Sequence, residues 1–368
     1  MKEPAFSSRP SRRHALTGLG VAAGAVLATA LPAAPAAALV QTGTLPVLQP
    51  TDDWATVLAA TPQVQLQSGA TYTLTKPVEL PSGCSIQGNG ATVTVAADAT
   101  GALTATGRTG VTITRVRFLG RATSPLNTAA SFPHVAVALS RSTDVRISDC
   151  DFVNWRGAGI TVRGSTADDY FAYHVKLDGN TFHNCYFGVS VTDRSEYCQL
   201  TRNTFSYCRL AIWNSAGNWT IDSNTVVGCY GAYYSFALTS PYGALSSDNW
   251  AHGCLVGNTF NHSNGGAKQL WNGNTAFPIG NSTQDPGSGV VVDGVLPPTF
   301  TGNALWYTDL TATGLAGTRW LLSGCTFSNL TITCTGTTPV ALAGTQSNGA
   351  ANAPVLRGNV KDLLASLY

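Results

Sequence analysis

The side chains of this chain best suited to chemistry are carboxylates in loops rich in Ser, Gly and aromatic residues. Asp168 and Asp169 stand in STADDYFAYH, Asp193 and Glu196 in DRSEY, and Asp248 in SSDNWAH. Cleavage of a glycosidic bond requires paired carboxylates: one protonates the leaving oxygen while the other activates water or attacks the anomeric carbon. The two groups stand about 5 Å apart for retention and about 6.5–9.5 Å apart for inversion. Asp169 with Asp193 or Glu196 is the catalytic pair this sequence favours; beyond the N-terminal leader the only other glutamate is Glu79. Arg163, Asp168, His174, Arg194, Trp250 and His252 lie in or beside the same loops and are candidates for substrate binding. The plainer reading is that Asp-Asp and Asp-Arg pairs in loops form turns and solvated ion pairs.

β-Elimination is the competing chemistry. It needs a base near a C5 proton and a cation to neutralise a uronate carboxylate, and Arg156, Arg163, Arg194, Arg209, His174 and Lys176 are available. Lys176 also fits a plain outward strand residue. Calcium would fill the neutralising role through Asp168, Asp169 and Asp193; hydrolysis or intramolecular transfer needs no cofactor. No C-x-x-C pair and no His/Cys cluster with zinc spacing occurs, so no structural metal is expected.

The elements that must position these groups repeat. VRISDCDFVNW, VKLDGNTFHNC, CQLTRNTFSYC, WTIDSNTVVGC and CLVGNTFNHS align, with Val111–Gly120 as a weaker first copy. Asn180, Asn203 and Asn224 are 23 and 21 residues apart, too close for a helical hairpin repeat, and the units are rich in β-branched and aromatic residues. Each unit reads as one coil of a parallel β-solenoid, with two short strands and two turns. Equivalent residues then stack about 4.8 Å apart. Cys150, Asn180, Asn203, Asn224 and Asn258 form one ladder; Phe152, Phe182, Phe205, Val226 and Phe260 a second; Trp155, Cys185, Cys208, Cys229 and Ser263 a third.

After each such turn comes a strand: AGITVRG, FGVSVTD, LAIWNSA and GAYYSFA. Alternation puts Ile160, Val189, Ile212 and Tyr233 inward, and Thr161, Ser190, Trp213 and Tyr234 outward. Arg163, Thr192, Ser215 and Phe236 face out one step further along. Trp213 beside Tyr234 on neighbouring coils is unexpected for a surface that only has to be soluble. Flat aromatic faces match the C–H faces of sugars, so both join the substrate-binding set. The alternative is that a long loop or a neighbouring subunit covers the two rings.

Charged residues are 11% of the chain and the net charge is +2, which gives no polyanion-binding signal and no support for a nucleic-acid partner. At the N-terminus, Arg12-Arg13 precede a weakly apolar Gly/Ala stretch ending near Ala38. This pattern is that of a twin-arginine export leader and predicts a secreted bacterial protein, extracellular or periplasmic. The apolar run is too short for a membrane anchor. Nine cysteines remain; Cys185, Cys208 and Cys229 share one coil position and read as stacked buried thiols, while Cys325 and Cys334 are open to pairing.

TDDWATVLAA reads as a short capping helix with an N-cap and acids in its first turn. The order of this helix, the GATY turn, the LPSG turn and the GNG turn resembles the opening of pectate-lyase-like right-handed β-helix proteins, including phage tailspikes. The resemblance covers roughly residues 51–262. It implies an all-β, single-stranded right-handed parallel β-helix with an N-terminal capping helix, acting on a polysaccharide or oligosaccharide. It leaves open hydrolysis or transfer, elimination, or non-catalytic binding, and tailspike-like relatives imply a homotrimer. Neither an R-x-P-x-x-R stretch nor a G-H-G followed by R-I-K is present, so no catalytic set carries over. The expected partition is a leader over 1–38, a cap with first coils over 39–100, central coils carrying the site over 101–264, and last coils with a cap or oligomerisation segment over 265–368. In that last part the NTF phase is lost after Gly265, WLLSGCTFSNLTITC resumes one strand pair, and VKDLLASLY reads as a short helix.

Overall fold

The computed structural model describes residues 44–362, apart from 125, 127, 129, 166–171, 217, 236–239, 244–252, 262–268, 271–275, 280–281, 285–289, 294–298, 314–319, 338 and 348–353. Three parallel sheets of fourteen, twelve and twelve strands are built by pairing each strand with its counterpart one coil away. The result is a right-handed parallel β-helix. Each coil holds three strands rather than two. In one central coil these are Lys176–Asp178, Thr181–His183 and Phe187–Thr192, contributing to the first, second and third sheets. The middle strand looks like part of a turn in sequence because it is only three residues long and is bounded by two sharp corners.

Those corners have a local cause. The residue before each ladder position adopts left-handed backbone: Asp149, Gly179, Arg202, Ser223 and Gly257 have φ of 55°, 67°, 55°, 55° and 60°. The second corner repeats this at Asn154, Asn184, Tyr207 and Gly228, with φ of 61°, 52°, 52° and 64°. Backbone N–H groups at such corners point away from any sheet partner and are buried, so a side chain must satisfy them. The Asn ladder does this. Asn203 Oδ1 accepts from the Asn180 N–H at 2.9 Å and from Asn180 Nδ2 at 3.0 Å. Asn224 and Asn258 do the same for Asn203 and Asn224, and Asn180 accepts from the Cys150 N–H at 3.0 Å. The remaining amide hydrogens go to the carbonyls of Ile147, Leu177, Leu200 and Ile221 at 2.9–3.0 Å.

Beside it, Phe118, Phe152, Phe182 and Phe205 stack with centroids 5.1, 4.8 and 4.7 Å apart. Facing strands must leave room for these rings: a Cβ on Gly188 would lie 2.5 Å from Phe205 Cδ1, and one on Gly159 2.7 Å from Phe182 Cδ1. Cys185, Cys208 and Cys229 are buried free thiols, and the Cys208 N–H donates to Cys229 Sγ at 3.3 Å. Ser263, at the end of that ladder, lies outside the described residues.

Several expectations need correction. The helix is Trp54–Ala60, with Asp53 as its N-cap, so neither acid lies in its first turn. The Asp53 side chain accepts from the Thr56 N–H at 3.1 Å, a role available only to a residue just outside the helix. Trp54 and Leu58 enter the core. The coil phase does not end at Gly265. TGNAL and SGCTF are further copies, with Gly302 and Gly324 at φ 61° and 60° in the same corner and Asn303 and Cys325 buried after them. Cys325 and Cys334 are both buried, and no disulfide joins them. Val360–Asp362 is a strand paired with Val340–Ala343, not the start of a helix.

Asn203→Ala would leave the buried Asn180 N–H and the Asn180 side-chain amide without their acceptor. It is expected to cost about 3 kcal/mol, read as a lower denaturant midpoint, whereas Thr204→Ala on the exposed side of the same coil should stay within about 0.5 kcal/mol.

Candidate functional site

The outward face of the third sheet carries the aromatic pair. Register aligns Ile160, Val189, Ile212 and Tyr233 in one column and Thr161, Ser190, Trp213 and Tyr234 in the next. The first column is buried in the core. Trp213 and Tyr234 stack with centroids 5.5 Å apart and planes 18° from parallel. Both are half-buried. Trp213 Nε1 donates to Ser215 Oγ at 2.7 Å, and Phe187 meets the indole in a T-shaped contact at 5.7 Å. Each ring turns one face to the other, so the stack offers a ligand its flank rather than two open faces.

Thr161 and Ser190 point outward yet are buried. The Ser240–Gly243 segment, which follows the Gly231–Ser235 strand, folds back against Ser190 and Thr192. Ser240 Oγ lies 3.2 Å from Ser190 Oγ. Tyr242 packs on Phe187 and Phe132, with centroids 5.7 and 6.4 Å away. Burial raises the Tyr242 phenol pKa well above its ordinary value. Alternation gives the direction of a side chain but not what a later segment lays over it, so this cover escaped sequence reasoning. Of the outward column, Trp213 and Tyr234 keep partial exposure.

At the end of the Phe187–Thr192 strand the chain runs through a turn whose polar residues, Thr192 to Glu196, are all buried. Asp193, at φ 53°, accepts from Arg163 Nε at 2.7 Å. Its side chain is 1% exposed, while Arg163 is 51% exposed. Glu196 Oε2 accepts from Asn218 Nδ2 at 2.7 Å, and Arg194 Nε lies 3.7 Å from Glu196 Oε1. Buried charges persist only with such partners. Asp193 and Glu196 are therefore cation-paired carboxylates beneath the rim of the aromatic face. Asp168, Asp169, Tyr170, Phe236, Asp248, Trp250 and His252 lie outside the described residues. His174 belongs to another flank, beyond this turn, with Nδ1 3.1 Å from Asp144 Oδ1.

Sequence reasoning missed Phe132, His134, Asn218 and Tyr242, which come from irregular segments with no repeat phase. His134 stacks on Trp155 at 4.6 Å, and its Nδ1 accepts from the Arg156 N–H at 3.2 Å. Burial, with Arg156 and Arg121 nearby, pulls its pKa down to about 4 and keeps it neutral. It lines a cavity of about 480 Å³ with Asp98, Arg121, Ser131 and Arg156. Among the described residues no group of three or more His, Cys, Asp or Glu side chains could hold a metal ion. No helix among them is long and apolar enough to cross a membrane.

A Cβ on Gly243 would lie 2.4 Å from Thr192 Oγ1 and 2.7 Å from Asp193 Oδ2. Gly243→Ala should push the covering segment off the sheet, costing about 1–3 kcal/mol. Faster chymotryptic cleavage after Tyr242, with a lower thermal midpoint, checks this.

Comparison with known proteins adds the following. A family profile described as Adenovirus EB1 55K protein / large t-antigen matches residues 41–235, just over half of the chain. A second, described as Periplasmic copper-binding protein (NosD), matches residues 169–320; the described residues offer no cluster that fits a metal ion. None of the curated proteins matches. Similar solved structures include the catalytic domain of a GH87 alpha-1,3-glucanase in complex with nigerose, at 11% identity and TM-score 0.38, covering 86% of this chain and 67% of the other. A tailspike protein mutant of E. coli bacteriophage HK620 in complex with a pentasaccharide has 13% identity and TM-score 0.41, covering 85% and 77%. Polygalacturonase from Erwinia carotovora ssp. carotovora has 11% identity and TM-score 0.33, covering 87% and 97%. Such low identities and scores transfer no activity. With its stacked three-sheet coils the chain is a right-handed parallel β-helix protein, and by its profile match it belongs to the family described as Adenovirus EB1 55K protein / large t-antigen.

Proposed function

We propose that this chain is a secreted, carbohydrate-active protein that holds a polysaccharide or oligosaccharide against the outward face of its third sheet and cleaves glycosidic bonds there by carboxylate chemistry. One observation carries the reading: a half-buried Trp213–Tyr234 stack on rigid, in-register strands, at the rim of a turn where Arg163 is held by a buried carboxylate. The flank of the stack offers apolar area to sugar C–H groups. Arg163, half exposed and fixed by Asp193, offers donors to sugar oxygens. Export through the twin-arginine leader over 1–38 belongs to the same proposal.

Cleavage is assigned to Asp169, Asp193 and Glu196. In that assignment one carboxylate takes a proton from water while a second carboxyl protonates the leaving oxygen. Non-catalytic glycan binding is the second reading, and the burial of both Asp193 and Glu196 favours it. Turnover separates the two. The mature protein is incubated with plant, fungal and bacterial glycans, and new reducing ends are measured beside the ultraviolet absorbance of unsaturated uronates. Reducing ends without that absorbance support hydrolysis; retention on an affinity gel without cleavage supports binding alone.

Trp213→Ala is expected to weaken glycan affinity about tenfold, or about 1.4 kcal/mol, with the thermal midpoint nearly unchanged. Asp169→Asn should abolish turnover while leaving binding intact; a normal rate in that variant removes the carboxylate assignment.

A further inference from the structure

The cavity beside His134 is built by three successive coils at the corner between the second and third sheets. The strands Thr92–Val95, Arg117–Leu119 and Asp151–Val153 pair in register. The segment that follows each supplies one charged side chain to the cavity: Asp98, Arg121 and Arg156. Strands one coil apart lie about 4.8 Å from each other, so one acid and two guanidiniums share a single small volume. The Ser131–His134 turn forms one wall. The His134 N–H donates to the Ser131 carbonyl at 2.9 Å, and the turn is fastened to the next coil by two more bonds. These run from the Ser131 N–H to the Arg156 carbonyl at 2.9 Å and from the Gly157 N–H to the His134 carbonyl at 3.0 Å. Only glycine fits that contact, because a Cβ on Gly157 would lie 2.6 Å from the His134 oxygen.

Groups of both signs stand ready in this cavity. Asp98 and Arg121 are exposed, and among the described residues neither side chain has a hydrogen-bond or ion-pair partner, not even the other. His134 adds a neutral donor. Its Nδ1 accepts from the Arg156 N–H at 3.2 Å, so the hydrogen of the neutral ring sits on Nε2. Nε2 is buried and has no acceptor in the protein, and an unpaired buried donor is destabilising until an acceptor reaches it. Both guanidiniums stand close enough to the ring to help pull its pKa down to about 4.

We infer that this cavity binds a small zwitterion, a free α-amino acid or a short peptide, by its ammonium and carboxylate groups. A plain anion would meet Asp98 and a plain cation would meet the guanidiniums; a ligand carrying both charges satisfies the whole set. The ammonium pairs with Asp98. The carboxylate takes hydrogen bonds from the planar fork of Arg121 and from His134 Nε2, and Arg156 adds its charge to the potential there. A cavity of about 480 Å³ suits a ligand of this size. The site makes no use of Trp213 or Tyr234 and does not rest on the proposed function.

The full chain is titrated calorimetrically with L-alanine, L-leucine, L-glutamate and di-L-alanine, and the tightest binder is compared with its N-acetyl and carboxamide derivatives. At least one of the four should bind, and loss of either charge should weaken it at least tenfold; the preference between the amino acids and the dipeptide distinguishes a free amino acid from a peptide. Asp98→Asn should cost at least tenfold for the zwitterion while leaving the N-acetyl derivative unaffected, and Arg121→Gln should do the same with respect to the carboxamide. Both positions are exposed, and an unchanged thermal midpoint confirms folding; the two derivatives test the unaltered chain if a variant does not fold. Failure of all four to bind, equal affinity for the zwitterion and either derivative, or unchanged affinity in either folded variant overturns the inference. A uronic acid monosaccharide bound as tightly as the best zwitterion overturns it as well. Trp213→Ala should leave this binding intact; its loss there places the ligand on the third-sheet face, sinking this inference while leaving the proposed function standing.

Discussion

A buried corner N–H with no strand partner is the constraint on which this structure depends. Every coil must turn sharply at left-handed residues such as Gly179 and Arg202, and each turn takes a backbone donor out of the sheet where water cannot reach it. The Asn side chain of the next coil accepts that donor, and its own amide hydrogens reach a carbonyl one coil away. Because an unpartnered buried N–H costs about 1–3 kcal/mol, each coil is tied in register to its neighbour. The same register stacks Phe152, Phe182 and Phe205 one above the other.

Rigidity of this kind leaves the third corner as the place where the coils differ. There the chain departs from repeat phase between the third and first sheets, and irregular segments double back over the scaffold. Ser240–Gly243 turns an outward strand surface into interior, burying Ser190 and Thr192. The same corner gathers the charges. Asp193 and Glu196 are buried and must be partnered, whereas Arg163 reaches solvent from one such pairing. One corner thus separates two surfaces of different chemistry: an aromatic face on the third sheet, and on the first sheet a polar row where Arg146 and Lys176 stand in register.

Two kinds of information meet here. Repeat phase is a property of equivalent residues, so wherever Asn, Phe or Cys recur at one position the fold can be read directly. The Asn ladder, the inward column at Ile160, Val189, Ile212 and Tyr233, and the adjacency of Trp213 and Tyr234 all come from such recurrence. Phase fades where copies degenerate, which is why the coil at Asn303 was legible only from the Gly302 corner, whereas WLLSGCTFSNLTITC still showed a strand pair around Cys325.

The sequence by itself determined that the chain coils, the register between coils and the direction of the inward and outward columns, because those follow from local alternation and from donors that must be satisfied one coil away; it did not reveal the third strand of each coil. It also placed Asp193, Glu196 and Trp213 near one another along the chain. Only the tertiary structure decided which outward residues meet solvent, that Arg163 holds Asp193 and Asn218 holds Glu196, and that His174 faces a different flank from Trp213. Those outcomes depend on how non-repeating segments close over the scaffold, and contacts between residues far apart in an aperiodic segment leave no period to read.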